Sequence, residues 1–303
     1  MYDELKQEFK KRYMRSRIVS ETSLNGAFKK VGEFEDLNSK DVSDFSESEL
    51  LDMYKALNCR SVNTLQNYNN YLKSYCTYVA QQTGKEITLF ENINKQVLKE
   101  CISEDVKRNK YITYEQLCDI EMELLNYTDM AIMECLWLGI AGKNMSDITN
   151  LVKENVDATR MCIMLHNGKE YPITERQLDL LNKAFAEKTY VCYGERMKVK
   201  PLIGEDCLYK IRDNSYKDTP DVRFRWIYRK IMIIREHVGY PTMSMKTIQG
   251  SGMLYFIKNG MQESGLGLRE FLATKEGNRL MLQYGFESEG RIDVVFDKFC
   301  EYI

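Results

Sequence analysis

Proline is the residue that most limits what this chain can fold into, because 303 residues carry only four of them. A proline inside a helix removes a donor and clashes with the preceding turn, so a chain nearly free of it can run long helices. Apolar residues recur every three or four positions over long stretches, which makes the chain mainly helical with few strands. A hydrophobic share of 44% is enough to bury a sizeable core, and the length suggests two domains rather than one.

Read along the chain, residues 1–19 form an amphipathic helix, and Ser46 with Glu49 makes a capping box that opens a helix through Leu57. The segment SVNTLQNYNNYLKSYCTYVAQQTG, 61–84, places Leu65, Tyr68, Leu72, Tyr75 and Val79 on one stripe and stops at Gly84. A shorter helix at 94–104 precedes the polar stretch EDVKRNK, which marks a linker over 104–110. The expected division is therefore an N-terminal helical domain, 1–106, and a second domain, 107–303. In the second, Thr113 and Gln116 cap a helix to Leu125, and 128–141 is apolar enough to be buried. TRMCIMLHNGKEYPIT alternates on both sides of Asn167-Gly168, a hairpin signal in which His166 is a turn residue. Further helices are expected at 174–187, 220–237, 246–259, 263–273, 276–283 and 290–302.

Charge gives no simple indication of a partner. Forty-three Lys and Arg face 45 Asp and Glu, a net charge of -2, whereas phosphate binders usually carry a basic excess. The cations are nevertheless clustered: Lys10, Lys11, Arg12, Arg15 and Arg17; Arg196, Lys198 and Lys200; Arg223, Arg225, Arg229 and Lys230. Such clusters can lie on a solvated helix face or on DNA. Nine cysteines stand singly with no C-x-x-C pair, as buried reduced thiols do, and two histidines argue against a metal centre; no cofactor is expected. No apolar run reaches the roughly 20 residues of a membrane span, and the first residues are charged where a signal peptide is apolar, so a cytoplasmic address is expected.

The order of small helical domain, linker, buried helix, hairpin and further helices resembles the phage integrase family, the tyrosine recombinases. SVNTLQNYNNYLKSYCTYV is similar to the family's core-binding helix, and the resemblance implies DNA contacts from Thr64, Asn67 and Lys73. LGIAGKNMSDITNLVKENVD, 138–157, is similar to the first box, G-L-R-x-S-E-L. Ser146 and Asp147 match its Ser-acid pair, which puts Asn144 where the family has its first catalytic arginine, with Lys143 beside it. HNGKEYPIT resembles the hairpin bearing the catalytic lysine, matched by Lys169. KTIQGSGMLYFIKNG aligns with the second box, H-x-L-R-H, so Lys246 replaces the first histidine, Gln249 the arginine and Gly250 the second histidine. Lys275 stands where a histidine or tryptophan is expected, and EFLATKEGNRLMLQYGF brings Tyr284 near the nucleophile's place. The resemblance spans residues 50–290 and implies a two-domain DNA clamp, mainly α with a small β-hairpin or sheet.

Attack on a phosphodiester builds charge on the non-bridging oxygens, and paired guanidinium forks stabilise it with bidentate hydrogen bonds. Asn144 and Gln249 cannot do this. Losing one preorganised donor of this kind costs about a hundred- to a thousand-fold in rate. Amides can still hold a phosphate, because phosphate contacts supply affinity without reaction. The pattern of losses resembles recombinase-derived repressors that maintain lysogeny in SPβ-type Bacillus prophages. It implies a DNA-binding regulator of double-stranded operator sites with no catalytic residues, contacting DNA through Lys143, Asn144, Lys169, Lys246, Gln249, Thr64, Asn67, Lys73, Arg223, Arg225, Arg229 and Lys230.

Three alternatives stand beside it. An active recombinase could use Tyr284 with Lys143, Lys246 and Lys275 as substitute cations. A helical adaptor could bind recombination proteins and no DNA, as the acidic balance would favour. Gly250-Ser251-Gly252 could be a phosphate cradle, though no lysine follows at P-loop spacing, so a tight helix start is the simpler reading. At the end of the chain Val295, Phe296, Phe299 and Ile303 make an apolar stripe that can either close the protein's own core or dock on a second copy.

Overall fold

The protein is described here from a computed structural model. The structure describes residues 2–16, 21–59, 62–104, 109–194, 197–211, 218–288 and 290–303, with the side chains of 2, 15–16 and 21–23 left aside. Arg15 (side chain), Arg17, Ser61, Arg196 and the central linker positions 105–108 therefore lie outside the described residues. The chain falls into two compact units, Met1–Arg108 and Asn109–Ile303.

The first unit comprises helices α1 (Tyr2–Ser16), α2 (Glu21–Asn38), α3 (Glu47–Ala56), α4 (Val62–Thr83) and α5 (Lys95–Glu100). Helix α4 buries Leu65, Leu72, Tyr75 and Val79, the stripe read from its spacing. Phe9 of α1 and Phe28 of α2 meet the Tyr75 ring at 5.5 and 5.6 Å, near-perpendicular contacts that suit the aromatic quadrupoles. The capping box of α3 is formed: the Ser46 amide donates to Glu49 at 2.7 Å and the Glu49 amide to Ser46 Oγ at 3.3 Å. Helix α2 was not expected from the sequence. Its Leu24, Phe28 and Val31 are buried, but two glycines and mixed polarity blur the stripe.

The second unit begins with α6 (Tyr114–Glu123), capped by Thr113 and Gln116, and α7 (Tyr127–Trp137). Helix α7 is enclosed on every side; Ala131, Ile132, Met133, Cys135, Leu136 and Trp137 are all buried. Burial of each large apolar side chain stabilises the fold by about 1.5–3 kcal/mol. The short helix α8 (Ser146–Thr149) leads into strands β1 (Val156–Asp157), β2 (Cys162–Met164) and β3 (Glu170–Pro172), an antiparallel sheet in that order with Ile163 opposite Tyr171. Asn167-Gly168 makes the β2–β3 turn, Gly168 having φ 78°. After α9 (Glu175–Ala186) comes a second hairpin absent from the sequence reading, β4 (Thr189–Val191) with β5 (Val199–Pro201).

Helices α10 (Pro220–His237), α11 (Met245–Ser264), α12 (Leu268–Ala273), α13 (Lys275–Gln283) and α14 (Arg291–Phe299) complete the unit. Helix α11 runs unbroken past the expected stop at 259, and Gly265 in the left-handed conformation ends it. Its second half packs with α12–α14 in a distinct apolar cluster. The terminal stripe is used there: Val295 and Phe299 are fully buried within the same unit and Phe296 is packed against them. The stripe's central side chains therefore close the core of their own unit, the first of the two uses expected of it, while Ile303 at its end is 48% exposed. No helix among the described residues is long and apolar enough to cross a membrane.

Candidate nucleic-acid interface

The stretch matching the first box leaves α7 through a tight loop in which Asn144 (φ 54°, ψ 36°) and Met145 (φ 61°) are both left-handed. Asparagine tolerates that conformation better than most side chains, which gives Asn144 a local reason for its place. Lys143 and Asn144 are exposed. Together with Asn150, Asp218, Thr219 and Arg223 they line a cleft of about 270 Å³. Arg223 is held on one wall, its Nε donating to Asp218 at 2.9 Å and Nη1 to Asn150 at 2.5 Å. The loop and α10, far apart in sequence, therefore place three of the expected DNA contacts around one concavity. Asn150 and Asp218, which orient Arg223, carried no motif that sequence reading could have found.

The basic cluster on α10 divides. Arg225 and Arg229 are exposed one turn apart, with Tyr228 between them 49% exposed. Lys230 is the opposite case: its ammonium lies 2.6 Å from Asp129 Oδ1 and 3.5 Å from the Tyr190 ring centroid, with the side chain 6% exposed. Asp129 also accepts from the Tyr190 and Tyr193 hydroxyls at 2.9 Å. Lys230 is removed from the list of DNA contacts, because a cation sealed in a buried pair cannot reach a phosphate.

The remaining cations stay at the surface. Lys246 is exposed in the first turn of α11, Lys275 is exposed at the start of α13, and Gln249 is half-buried. The Lys169 ammonium lies 3.8 Å from Glu287 Oε1, which ties the hairpin to the segment just after Tyr284. In the first unit Thr64, Asn67 and Lys73 are exposed on α4. At about 100° per residue, Lys73 sits about 120° round the helix from Asn67, so the three do not form one narrow reading edge.

Tyr284 turns inward. Its hydroxyl is buried and donates to the main-chain carbonyl of Trp137, and burial, then the nearby Tyr171, raise its pKa well above the ordinary phenol value. The approach is possible because residue 252 is glycine: a Cβ there would sit 2.9 Å from the Tyr284 hydroxyl and collide with the Trp137 carbonyl. A Cβ on Gly250 would likewise fall 2.5 Å from the Tyr111 ring. Both glycines lie inside α11 as close-packing positions, so the cradle reading of Gly250-Ser251-Gly252 does not hold.

Two family models match the chain in tandem, one described as "MrpR, N-terminal core-binding domain" over residues 1–81 and one as "MrpR, C-terminal catalytic domain" over residues 111–299. The chain belongs to the MrpR family. It is a phage integrase-like protein, and the two matches fall one in each compact unit. This MrpR-family chain is 23% identical over 245 residues to the SPbeta prophage-derived uncharacterized protein YopR of Bacillus subtilis (strain 168), covering 77% of the chain and 74% of YopR. Among solved structures it is similar to the XerA recombinase (11% identity, 98% of each chain, TM-score 0.35). It is also similar to the Tn1549 transposon integrase, residues 82–397, in complex with circular intermediate DNA (14% identity, 96% of this chain and 98% of that one, TM-score 0.41). The word catalytic describes the family model; on this chain it covers a surface with amides where the resemblance calls for arginines.

Proposed function

We propose that this protein is a sequence-specific DNA-binding transcriptional regulator, a phage repressor that maintains lysogeny, built on an integrase-like fold that holds duplex DNA without cutting it. The observation that carries the reading is the fate of the nucleophile's position. The Tyr284 hydroxyl is spent on the Trp137 carbonyl. Its pKa is driven up, and the two positions that would stabilise a pentacoordinate phosphate hold Asn144 and Gln249. What survives is suited to holding: exposed Lys143, Lys246 and Lys275, half-buried Lys169, and Arg223, Arg225 and Arg229 on α10. Cations of this kind displace counterions from the backbone and fix orientation, while base edges supply sequence. The prophage origin of the YopR relative supports the lysogenic setting.

The competing reading, a recombinase that uses Tyr284 with lysines in place of arginines, is favoured by the family model's own description. Lysine is a point charge without the bidentate fork, so such a site would be slow at best. Selection of bound fragments from a random and a genomic DNA pool tests the proposal. A defined repeat lying near promoters is expected. Retention of no duplex at low salt, or enrichment only of sites at recombination junctions, would overturn it.

A further inference from the structure

Three lysines, two outside the aligned boxes and one at their edge, stand on the segments that meet around the end of the chain. The Tyr111 ring is the hub: it packs beneath Gly250 of α11, lies 5.5 Å from the Phe299 ring and 4.7 Å from the Tyr302 ring. Each of these neighbours brings a lysine. Lys246 is one helical turn before Gly250, Lys110 precedes Tyr111, and Lys298 precedes Phe299. The Lys110 ammonium sits 5.1 Å from the Tyr111 centroid and 5.8 Å from that of Tyr302. The Lys298 ammonium sits 4.8 Å from Phe299 and 5.2 Å from Phe286.

Aromatic faces thus hold Lys110 and Lys298, and among the described residues no ion pair joins either of them, or Lys246, to a carboxylate. Burial first, then Lys110 and Lys246, bring the Lys298 pKa down to about 8. Glu301 is the carboxylate that offsets Lys110. Gathering like charges in this way opposes folding, and a group with several anionic oxygens would relieve it.

We infer that Lys110, Lys246 and Lys298 form a phosphate-binding triad in which the C-terminal helix α14 supplies a cation to the DNA-facing surface from within the same chain. This rests on the DNA-binding reading for its natural occupant, a backbone phosphodiester; free phosphate shares the same chemistry. Lys246 occupies a position that the integrase resemblance marks, whereas Lys110 and Lys298 are additions to the surface that no motif supplies. Burial of Phe299 and Val295 folds the terminal helix back onto its own unit, which sets Lys298 beside the Phe286 and Phe299 rings.

The test compares the full chain with Lys298→Met, which keeps the aliphatic stem over Phe286 and Phe299, with Lys110→Met, and with Lys298→Arg as the charge-retaining variant. Duplex affinity is measured against salt, and melting is measured in inorganic phosphate against chloride of equal ionic strength. Each methionine variant should lower the slope of log affinity against log salt by about 0.9, and Lys298→Arg should restore it. Loss of that slope without any phosphate-dependent melting shift assigns the triad to the DNA backbone. A phosphate-dependent shift that disappears in both methionine variants assigns it to a free phosphate group, even if no duplex is bound. If the parent binds duplex and both methionine variants keep its slope, with no phosphate effect on melting, the triad falls while the DNA-binding reading stands. If the parent neither binds duplex nor responds to phosphate, both fall. Lys110→Met, at a half-exposed position near the start of the unit, keeps the test decisive should Lys298→Met fail to fold.

Discussion

The hydroxyl of Tyr284 donates its hydrogen bond to the main-chain carbonyl of Trp137, 147 residues earlier. The side chain that the integrase resemblance brings near the nucleophile's place is therefore fixing the end of the buried helix α7 against α13. Tyr284→Phe leaves the acceptor without its donor. It should lower stability by about 1–3 kcal/mol while duplex affinity stays unchanged. Denaturant unfolding paired with a binding isotherm checks both, and a parallel loss of affinity in a folded variant would place the hydroxyl on DNA instead.

Lys230 and its neighbours on α10 separate stability from binding. Removing Lys230 strands the Asp129 carboxylate in the interior, so Lys230→Ala should cost about 3–5 kcal/mol in stability. Arg225→Ala and Arg229→Ala should leave stability within about 0.5 kcal/mol and each reduce the salt slope of duplex binding by about 0.9. Equal stability of all three variants would contradict the placement of Lys230.

Much of the architecture could be read from local pattern. The capping boxes at Ser46 and Thr113, the α4 stripe and the Asn167-Gly168 turn involve residues within a few positions of one another, where propensity and hydrogen bonding act directly. What escaped depends on distant partners or weak signals. Lys230 reads as one more surface cation until Asp129, 101 residues away, closes on it. The β4–β5 hairpin has three-residue strands, too short for alternation to register. Helix α2 carries glycines at 26 and 32 that dilute its apolar face. The site was legible as a set of substitutions at family positions, but not as geometry: the left-handed Asn144, the inward Tyr284 and the cleft shared with Arg223 come only from the folded chain.

Asn144 has a backbone reason for its identity as well as a chemical one. Asn144→Gly should fold as well as the parent, whereas Asn144→Arg should cost about 1–2 kcal/mol because a long side chain is placed at positive φ. In combination with Gln249→Arg it should still tighten non-specific DNA binding and steepen its salt dependence, and no strand cleavage should follow while Lys246 and Gly250 stand in for the histidines. Cleavage by the double variant would show an active-site geometry preserved beneath the lost charges.

A buried carboxylate pair gives the fold a pH dependence. Glu121 and Glu134 share the single guanidinium of Arg176. Burial and the Glu134 charge, against the pull of Arg176, push the Glu121 pKa up to about 8 from an ordinary 4.5. Between those values the folded chain keeps a proton that the unfolded chain has released. The associated stability is full below pH 4.5 and is lost as pH rises to about 8, at no more than about 1.4 kcal/mol per pH unit. Glu121→Gln should flatten this decline in urea midpoints measured from pH 5 to 8. An identical decline in the variant would refute the assignment.

The measurement that bears most directly on a clamp that holds DNA without cutting it is a single reaction analysed twice. The protein is mixed with nicked duplexes carrying its selected repeat, substrates that trap any covalent tyrosyl linkage, and halves of the mixture are run on native and denaturing gels. The expected result is retarded DNA on the native gel, lost as salt is raised, and fully released DNA on the denaturing one. DNA that stays attached under denaturing conditions in the parent and not in Tyr284→Phe, or no retardation at any salt, would contradict it.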